Sequence, residues 1–445
     1  MHLPLQTLAA VSLLTLVDAR DGSPRRSGTT VSLHATQYGS VFDAPVTIGN
    51  QTFQLLVDTG SSDTYVMAPG LTCINATDNQ IIPEADCLYS NKTFRPSSSY
   101  KNIPSEMFGT QYGAGLASGA MAYEKVSIGN ITAEHQKIGI ANVSNPMGDG
   151  LNSGLLGLAY PAITAAHPAN HTSNETYWFD RSVYSPLVFT MHQNHKIDPY
   201  FSIALARTPQ NESRSFGGYL TLGGLPPVAH SEFTTVPVEI MKGVPANFTS
   251  GKKTRAWWTT TIGGVTYGTK GNMTTDSKPW QAFFDSGNPL SILPSAVVDP
   301  IHALFSSRPV WNDEIGGYIV DCATKVPEFG LTIGNKTFFH HGADLIYQTS
   351  AGVCMSSFVP SELVGVQGLA LNIIGVAFFK SVVAVFDFGQ HQMKFAPVLG
   401  AGNGSETSVG HLSSPADTSA ASTISAGRLW GGFSLSLTAL AVLMT

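Results

Sequence analysis

The feature that most constrains the fold of this 445-residue chain is an internal repeat. Residues 56–61 read apolar-apolar-Asp-hydroxyl-Gly-polar, and residues 283–288 follow the same pattern. An apolar-apolar-Gly element follows each copy at a similar separation, within 154–157 and within 372–375. Because the order of the elements is repeated as well as the motif, the chain is predicted to contain two copies of one unit related by an approximate two-fold axis. Such an axis would bring equivalent loops face to face across a central cleft.

Composition predicts a mostly β protein and excludes some functions. Apolar residues make up 43% of the chain, enough for a large core. Short runs rich in Val, Thr, Phe and Ile recur between Gly and Pro residues, while long apolar stretches of helical period are scarce. Only 12% of residues are charged and the formal net charge is -6, so we expect no nucleic-acid partner.

Each copy of the repeat places one aspartate, Asp58 or Asp285, where an apolar run ends and a turn begins. Such a side chain emerges from a strand end that the core holds in place. Two carboxylates that share a site cannot both ionise easily, so the pair would keep one proton over the acidic range. One Asp could then take a proton from water while its partner donates a hydrogen bond to a carbonyl oxygen. This chemistry needs neither a metal nor another cofactor, and none is predicted.

With further motifs between and after these aspartates, the chain from about Val31 to Val398 resembles the pepsin-like aspartic proteases. The matching motifs are Asp58–Ser62, Tyr112–Gly115, Ser215–Gly224, Asp285–Gly287 and Phe386–Gly389. The resemblance implies a bilobal pepsin-like fold with two homologous β-barrel-like lobes and a central cleft. It also implies hydrolysis of peptide bonds in protein or peptide substrates at acidic pH.

The resemblance also assigns roles to individual residues. Asp58 and Asp285 would be the catalytic pair, and Tyr112 with Gly113 would form a flap over the substrate. Thr59 and Ser286 would brace the two loops against each other. The residues expected to support the pair are Thr59, Gly60, Ser61, Ser286, Gly287 and Asn288.

Three positions depart from the family pattern. Asn288, followed by Pro, stands where the family usually has hydroxyl residues, although its amide could still donate to the outer oxygen of Asp285. Tyr65 replaces a Trp that commonly supports the flap, and Val376 replaces an Asp outside the chemistry. We therefore expect activity with displaced pKa values of the pair.

Two other functions fit parts of the pattern. A catalytically weak or inactive binding or inhibitor protein of the same fold is supported by Asn288, whereas retention of both aspartates opposes it. A glycosidase would need two acids flanking a sugar cleft at a defined separation, and the paired turns favour carboxylates in contact instead.

The expected lobes are residues 34–226, with the first Asp and the flap, and residues 227–398, with the second Asp. Four cysteines allow three disulfide pairings, and their order along the chain favours local closure. We therefore expect Cys73–Cys87 and Cys322–Cys354. Their spacing does not suggest a metal site.

The amino-terminal part indicates entry into the secretory pathway. Residues 1–19 are expected to be a signal peptide, followed by a short segment 20–33 in which Arg25–Arg26 could be a processing site. A long basic prosegment is missing from this stretch, so zymogen activation is not expected. Twelve sequons favour the same route, at Asn50, Asn75, Asn91, Asn130, Asn142, Asn170, Asn174, Asn211, Asn247, Asn272, Asn335 and Asn403.

The carboxyl-terminal part indicates a lipid anchor. Residues 399–428 read as a Gly, Ala, Ser and Thr linker, and residues 429–445 as the hydrophobic tail of a GPI-attachment signal. A membrane-spanning helix is the alternative, although the tail is short and interrupted by glycine. The tail resembles that of fungal cell-surface aspartic proteases, which predicts anchoring to the plasma membrane or cell wall. The protein is expected to be a monomer.

Overall fold

The computed structural model describes residues 28–113, 115–171, 176–209, 212–313, 315–349, 352–364, 369 and 371–400. The predicted signal peptide, most of the 399–428 linker and the hydrophobic tail therefore lie outside the described residues. The same holds for three of the sequons, Asn174, Asn211 and Asn403.

Strands dominate the described chain, which confirms the prediction of a mostly β fold. The strands up to residue 222 are β1 (Thr29–Thr36), β2 (Val41–Ile48), β3 (Gln51–Asp58), β4 (Thr64–Ile74), β5 (Ile81–Ile82), β6 (Lys101–Tyr112), β7 (Gly115–Ile128), β8 (Ile131–Ser144), β9 (Gly154–Gly157), β10 (Ala166–Pro168), β11 (Tyr200–Leu205) and β12 (Ser215–Leu222). The later strands are β13 (Thr234–Pro237), β14 (Thr259–Thr269), β15 (Asn272–Asp276), β16 (Trp280–Phe284), β17 (Ser291–Leu293), β18 (Val310–Asn312), β19 (Gly317–Val320), β20 (Glu328–Ile333), β21 (Lys336–Phe339), β22 (Ile346–Gln348), β23 (Cys354–Ser356), β24 (Phe358–Pro360), β25 (Ile373–Ile374), β26 (Val382–Asp387) and β27 (Gln392–Pro397).

Helices are short and few within the described residues. The α-helices are α1 (Leu187–Gln193), α2 (Ser295–His302) and α3 (Val376–Phe379). The 3-10 helices are Gln37–Gly39, Glu84–Cys87, Pro161–Ile163, Ala246–Thr249 and Gly342–Leu345. None of the described helices is long and apolar enough to cross a membrane.

The described strands form three sheets, of 15, 8 and 4 strands. The largest contains β1 to β13 together with β26 and β27, so strands from both ends of the chain share it. β26 pairs with β11 on one side and β27 on the other, and every residue of β26 is buried. Its continuous apolar run fits this central place. β1 begins at Thr29, within the segment expected to precede the first lobe, because it pairs with β12.

Both copies of the repeat fold into the same local arrangement. β3 leads to Asp58 and pairs in parallel with β9, and β16 leads to Asp285 and pairs in parallel with β25. The apolar-apolar-Gly elements of the sequence are therefore the parallel partners of the two Asp-bearing strands. Alternation buries Phe53, Leu55 and Val57 on one face of β3. The core thus fixes the strand end that carries the carboxylate.

Two disulfide bonds are present, Cys73–Cys87 and Cys322–Cys354, which is the pairing favoured by the order of the cysteines. The first closes a loop at the end of β4, and the second connects to β23. Each bond joins residues that are close in sequence.

Candidate active site

The two repeated aspartates lie together where β3 and β16 end. The carboxyl groups of Asp58 and Asp285 are hydrogen-bonded to each other. Each packs on the glycine of the opposite loop: a Cβ at Gly60 would overlap the Asp285 carboxyl group, and one at Gly287 would come within 2.8 Å of the Asp58 carboxyl carbon. Glycine at both positions therefore permits the close approach of the two loops.

Thr59 and Ser286 link the two loops through a reciprocal set of hydrogen bonds. The Thr59 hydroxyl donates to the Phe284 carbonyl over 2.8 Å and accepts from the Ser286 amide over 2.9 Å. The Ser286 hydroxyl donates to the Val57 carbonyl over 2.7 Å and accepts from the Thr59 amide over 3.2 Å. Both side chains are fully buried or nearly so, so these bonds are shielded from water.

The hydrogen bonds around the two carboxyl groups differ. Asp58 accepts from the Ser61 hydroxyl and, over 2.7 Å, from the Gly60 amide. Asp285 accepts from the Gly287 amide over 2.8 Å, and the Asn288 backbone also favours its charged form. The Asn288 side-chain oxygen instead accepts the Leu290 amide over 3.0 Å. The side chain that corresponds to Ser61 therefore uses its oxygen within its own turn.

The pKa of Asp285 lies well above its ordinary value. Burial of the carboxyl group is the main cause, followed by the negative charge of Asp58 and the hydrogen bond to it. Hydrogen bonds from the backbone amides of Gly287 and Asn288 act in the opposite direction and lower the pKa of Asp285, but by less. Burial and the neighbouring negative charge therefore favour the protonated form of Asp285.

Tyr112 ends β6 at the tip of a hairpin formed with β7, where it pairs with Gly115. Its hydroxyl is buried next to the side chains of Tyr65 and Thr110. Burial is the main cause that raises its pKa, and the charge of Asp58 is the next. Tyr65 is buried, its ring lies 5.1 Å from that of Phe108 in a tilted arrangement, and it interacts with Tyr112. A Cβ at Gly113 would meet open space, so the hairpin tip is not packed against the body at that residue.

The sequence analysis missed Asp63, a fully buried carboxyl group five residues after Asp58. One oxygen accepts the Ala165 amide over 2.8 Å and the Tyr184 hydroxyl over 2.6 Å, while the other has no partner among the described residues. Burial raises the pKa of Asp63 to about 6. A charged residue directly before the largely apolar strand β4 was the available signal.

No group of three or more His, Cys, Asp and Glu side chains within the described chain is arranged to hold a metal ion. The groups that the structure brings together at this site are the paired carboxyl groups, the surrounding hydroxyl and amide donors, and the hairpin tyrosine.

Comparison with known proteins agrees with this arrangement. The family model "Eukaryotic aspartyl protease" matches residues 42–398. A probable aspartic-type endopeptidase of Aspergillus fumigatus is 33% identical over 380 residues, which are 83% of this chain and 81% of that protein. Penicillopepsin-1 of Talaromyces stipitatus is 27% identical over 79% of this chain and 77% of its own length.

Solved structures show the same architecture. The crystal structure of an aspartic proteinase from Irpex lacteus superposes with a TM-score of 0.62, covering 84% of this chain and 98% of its own, at 20% identity. That likeness supports the bilobal pepsin-like β fold. The chain belongs to the pepsin-like family of eukaryotic aspartyl proteases, whose members hydrolyse peptide bonds of proteins or peptides.

Proposed function

We propose that the protein is an aspartic endopeptidase that hydrolyses protein substrates at acidic pH through a water molecule activated by Asp58 and Asp285. The observation that carries this proposal is the contact between the two carboxyl groups, each seated on the glycine of the opposite loop. Two carboxyl groups in contact share a proton over acidic pH, which makes one a base and the other an acid.

The unequal surroundings of the pair assign the two roles. Asp58 accepts hydrogen bonds from the Ser61 hydroxyl and the Gly60 amide. In this proposal it is the ionised member that takes a proton from water. Asp285, whose pKa is raised, is the protonated member that donates to the scissile carbonyl oxygen as it gains negative charge. The Thr59 and Ser286 hydrogen bonds hold both loops in this geometry.

Tyr112 would close over the reacting bond. Its hydroxyl lies in the field of the Asp58 charge, which supports a position of this side chain next to the paired carboxyl groups. Closure of the β6–β7 hairpin with Gly113 at its tip would exclude bulk water during the reaction.

Hydrolysis of an unfolded protein at acidic pH, with and without a statine-type peptide inhibitor, tests the proposal. We expect cleavage in acid that the inhibitor blocks and that declines toward neutral pH. A folded protein that binds the inhibitor without cleaving would identify the inactive binding homologue. Cleavage of an oligosaccharide with no proteolysis would identify a glycosidase.

We also propose that the protein passes through the secretory pathway. A vacuolar aspartic protease of Candida albicans is among its relatives, at 26% identity. Eight of the nine sequon asparagines in the described residues are exposed, and Asn75 is half-buried, so glycans could be accommodated. Treatment with an N-glycosidase should lower the apparent mass of the native protein. An unchanged mass would contradict glycosylation.

The mature protein would be held at the cell surface by a GPI anchor that replaces residues 429–445. The apolar tail behind a Ser, Thr, Ala and Gly linker supports this proposal. A phosphatidylinositol-specific phospholipase should release the protein from membranes. Detection of a peptide from 429–445 in the mature protein would instead support a spanning helix.

The lobes would divide near residue 226 in a monomer. Each disulfide lies within one proposed lobe, Cys73–Cys87 in 34–226 and Cys322–Cys354 in 227–398, which supports this division. Sedimentation of the secreted protein should give the mass of one chain.

A further inference from the structure

The strand that leads to the flap tyrosine is held by the segment that follows β9. β6 runs to Tyr112 and pairs with β7 on one side and with β10 on the other. The pairing with β10 matches Ala166 with Phe108. The next residue of β6, Gly109, donates its amide to the Ala165 carbonyl over 3.0 Å. β6 is therefore fixed on this side up to Gly109, three residues before Tyr112.

His167 of β10 makes a second contact with Gly109. Its Nε2 lies 2.8 Å from the Gly109 carbonyl oxygen. A carbonyl oxygen only accepts, so Nε2 carries the hydrogen of this bond. His167 is 0% exposed, and the bond is therefore shielded from water. A buried side-chain hydrogen bond thus adds to the strand pairing at this residue of β6.

The Tyr177 ring covers Gly109. A Cβ at Gly109 would lie 2.4 Å from two atoms of that ring. The backbone of Gly109 is outside the left-handed region, so glycine is needed here for space. The centre of the Tyr177 ring is 5.6 Å from that of His167. We call Gly109, His167 and Tyr177 the flap anchor.

The flap anchor lies where the hairpin changes from buried to partly exposed. Residues 108–110 are buried, whereas residues 111–113 are half-buried. A Cβ at Gly113 would meet open space. The part of the hairpin that can move over a substrate therefore begins directly beyond the anchor.

The surroundings of His167 favour its neutral ring. Burial is the main cause that lowers its pKa, and the positive charges of His171 and Arg181 lower it further. The backbones of Gly109 and Asp180 favour the charged ring, but the pKa of His167 still lies below its ordinary value. A charged ring would therefore be more stable in water than inside the closed anchor.

The acidic residues closest to the anchor in the chain have other partners. Glu106, the acidic residue of β6, forms an ion pair with Lys137 over 2.7 Å. Asp63 faces Arg181 and accepts the Tyr184 hydroxyl over 2.6 Å. The charges that act on His167 are thus the positive ones of His171 and Arg181. Protonation of His167 therefore favours separation of β10 from β6.

We propose that His167 is a positioning residue for the flap: its neutral ring holds β6 at Gly109, and protonation in acid releases the strand and weakens substrate binding. The inference rests on the proposed peptidase function. Loss of one buried hydrogen bond changes an equilibrium by about two- to tenfold. His167 acts on binding through the strand, so its release should raise KM more than it lowers kcat.

Three forms of the full-length protein test this inference: the parent, His167→Gln and His167→Ala. The amide nitrogen of glutamine can replace Nε2 as the donor to Gly109, but it does not titrate. As the pH falls below 6.5, KM of the parent should rise by about two- to tenfold. KM should stay lower in His167→Gln over that interval and be raised at every pH in His167→Ala. An equal rise in the parent and His167→Gln would overturn the inference.

His302→Gln is the matched control. His302 is also a buried histidine, its Nε2 lies 2.8 Å from the Ser356 hydroxyl, and burial lowers its pKa as well. It belongs to the second proposed lobe, away from β6 in the sequence. This variant should keep the rise of KM that the parent shows in acid. Loss of that rise in His302→Gln as well would overturn the assignment to His167.

Gly109→Ala and Tyr177→Ala, alone and combined, test the contact within the anchor. The methyl group added in Gly109→Ala meets the Tyr177 ring, so KM should rise by about tenfold. The combined variant removes this obstacle and should raise KM no more than Tyr177→Ala alone. Additive effects of the two substitutions would show that the ring does not hold Gly109, and would overturn the inference.

Binding of a statine-type inhibitor separates the inference from the function on which it rests. Calorimetry gives the Kd of the inhibitor without hydrolysis, and Kd should follow the same pattern as KM in the parent and the His167 variants. That pattern in a protein that cleaves no peptide would contradict the proposed function alone. Hydrolysis with equal profiles in the parent and His167→Gln would contradict the inference alone. If His167→Ala fails to fold, this last comparison still decides.

Discussion

The loops after Asp58 and Asp285 are two copies of one structure, and they differ in the contact made by the polar residue after the glycine. In the first loop a side-chain hydroxyl, that of Ser61, donates to the carboxylate. In the second loop the corresponding Asn288 turns its side-chain oxygen to the Leu290 amide, and Asp285 receives backbone amides. Ionised acceptors strengthen hydrogen bonds, so the first loop favours a charged carboxylate more than the second.

This difference shows how a pseudo-symmetric pair can be given unequal roles. The Thr59 and Ser286 hydrogen bonds are nearly equivalent in the two loops and fix the geometry. Under the proposed mechanism, the polar residue that follows each glycine would decide where the shared proton resides. Geometry and proton placement would then be controlled by different residues.

The loops also differ five residues after each aspartate. Asp63 in the first loop is fully buried, whereas Leu290 stands at the equivalent place and is 5% exposed. The first loop therefore carries a second titratable group next to the site, and the second loop continues into the apolar core. Each of these differences can be altered by substitution.

The largest effect on activity is expected for the two aspartates, which both loops carry at the same position. Asp58→Asn or Asp285→Asn should each lower kcat by roughly a thousandfold or more, because a neutral amide can neither take the proton from water nor give one to the carbonyl. Circular dichroism and inhibitor binding should show an intact fold. Retention of more than a few per cent of turnover by either folded variant would contradict the shared mechanism.

Asp63 should make stability depend on pH in a way that Leu290 cannot. Its pKa is raised from 3.8 to about 6 in the folded protein, so the folded state holds this proton more tightly. The stabilisation of the folded state that comes from this proton is fully present below pH 3.8 and is lost as the pH rises through about 6. A shift of this size corresponds to on the order of 3 kcal/mol.

Asp63→Asn should therefore flatten the dependence of the free energy of unfolding on pH across that interval. Denaturant unfolding at a series of pH values measures this free energy for the parent and the variant. The amide oxygen can still accept from the Ala165 amide, so the variant should fold. A pH dependence equal to that of the parent would show that Asp63 is not the group responsible.

Ser61→Ala and Asn288→Ala compare the two loops directly. Removal of the Ser61 hydroxyl deletes a hydrogen bond to a charged group, worth about 1.5–3 kcal/mol, and should lower kcat/KM by roughly ten- to a hundredfold. Asn288→Ala removes an acceptor within its own turn and should change kcat/KM less than about threefold. Equal losses would mean that Asn288 also donates to Asp285 during the reaction.

Much of the architecture could be predicted because it is encoded in repeated local patterns. The two Asp-hydroxyl-Gly turns and the apolar-apolar-Gly elements became parallel strand pairs at β3–β9 and β16–β25. The local order of the four cysteines matched the disulfides found. In these cases a motif that recurs in the same order, or the order of the cysteines, carries the information.

Features built by distant segments could not be predicted in this way. Asp63 depends on Tyr184 and on the Ala165 amide, about a hundred positions away, and the Trp178 ring stacks on that of Phe248. The orientation of the Asn288 side chain was also open, because an amide can donate or accept. Loop packing supplies these contacts, and sequence spacing carries no information about it.

The smallest expected effect comes from making the second loop like the first. Asn288→Ser would place a hydroxyl donor beside Asp285, as Ser61 does beside Asp58. A donor to the charged form lowers the pKa of Asp285, so the acid would lose its proton at lower pH. The alkaline limb of the kcat/KM profile should then move down by ~0.5–1 pH unit. Asn288→Ala, which lacks the hydroxyl but keeps the backbone amide, is the matched control and should leave the limb in place. An equal shift in both variants would mean that loss of the Asn288 side chain causes it. An upward shift in Asn288→Ser would contradict the assignment of Asp285 as the acid.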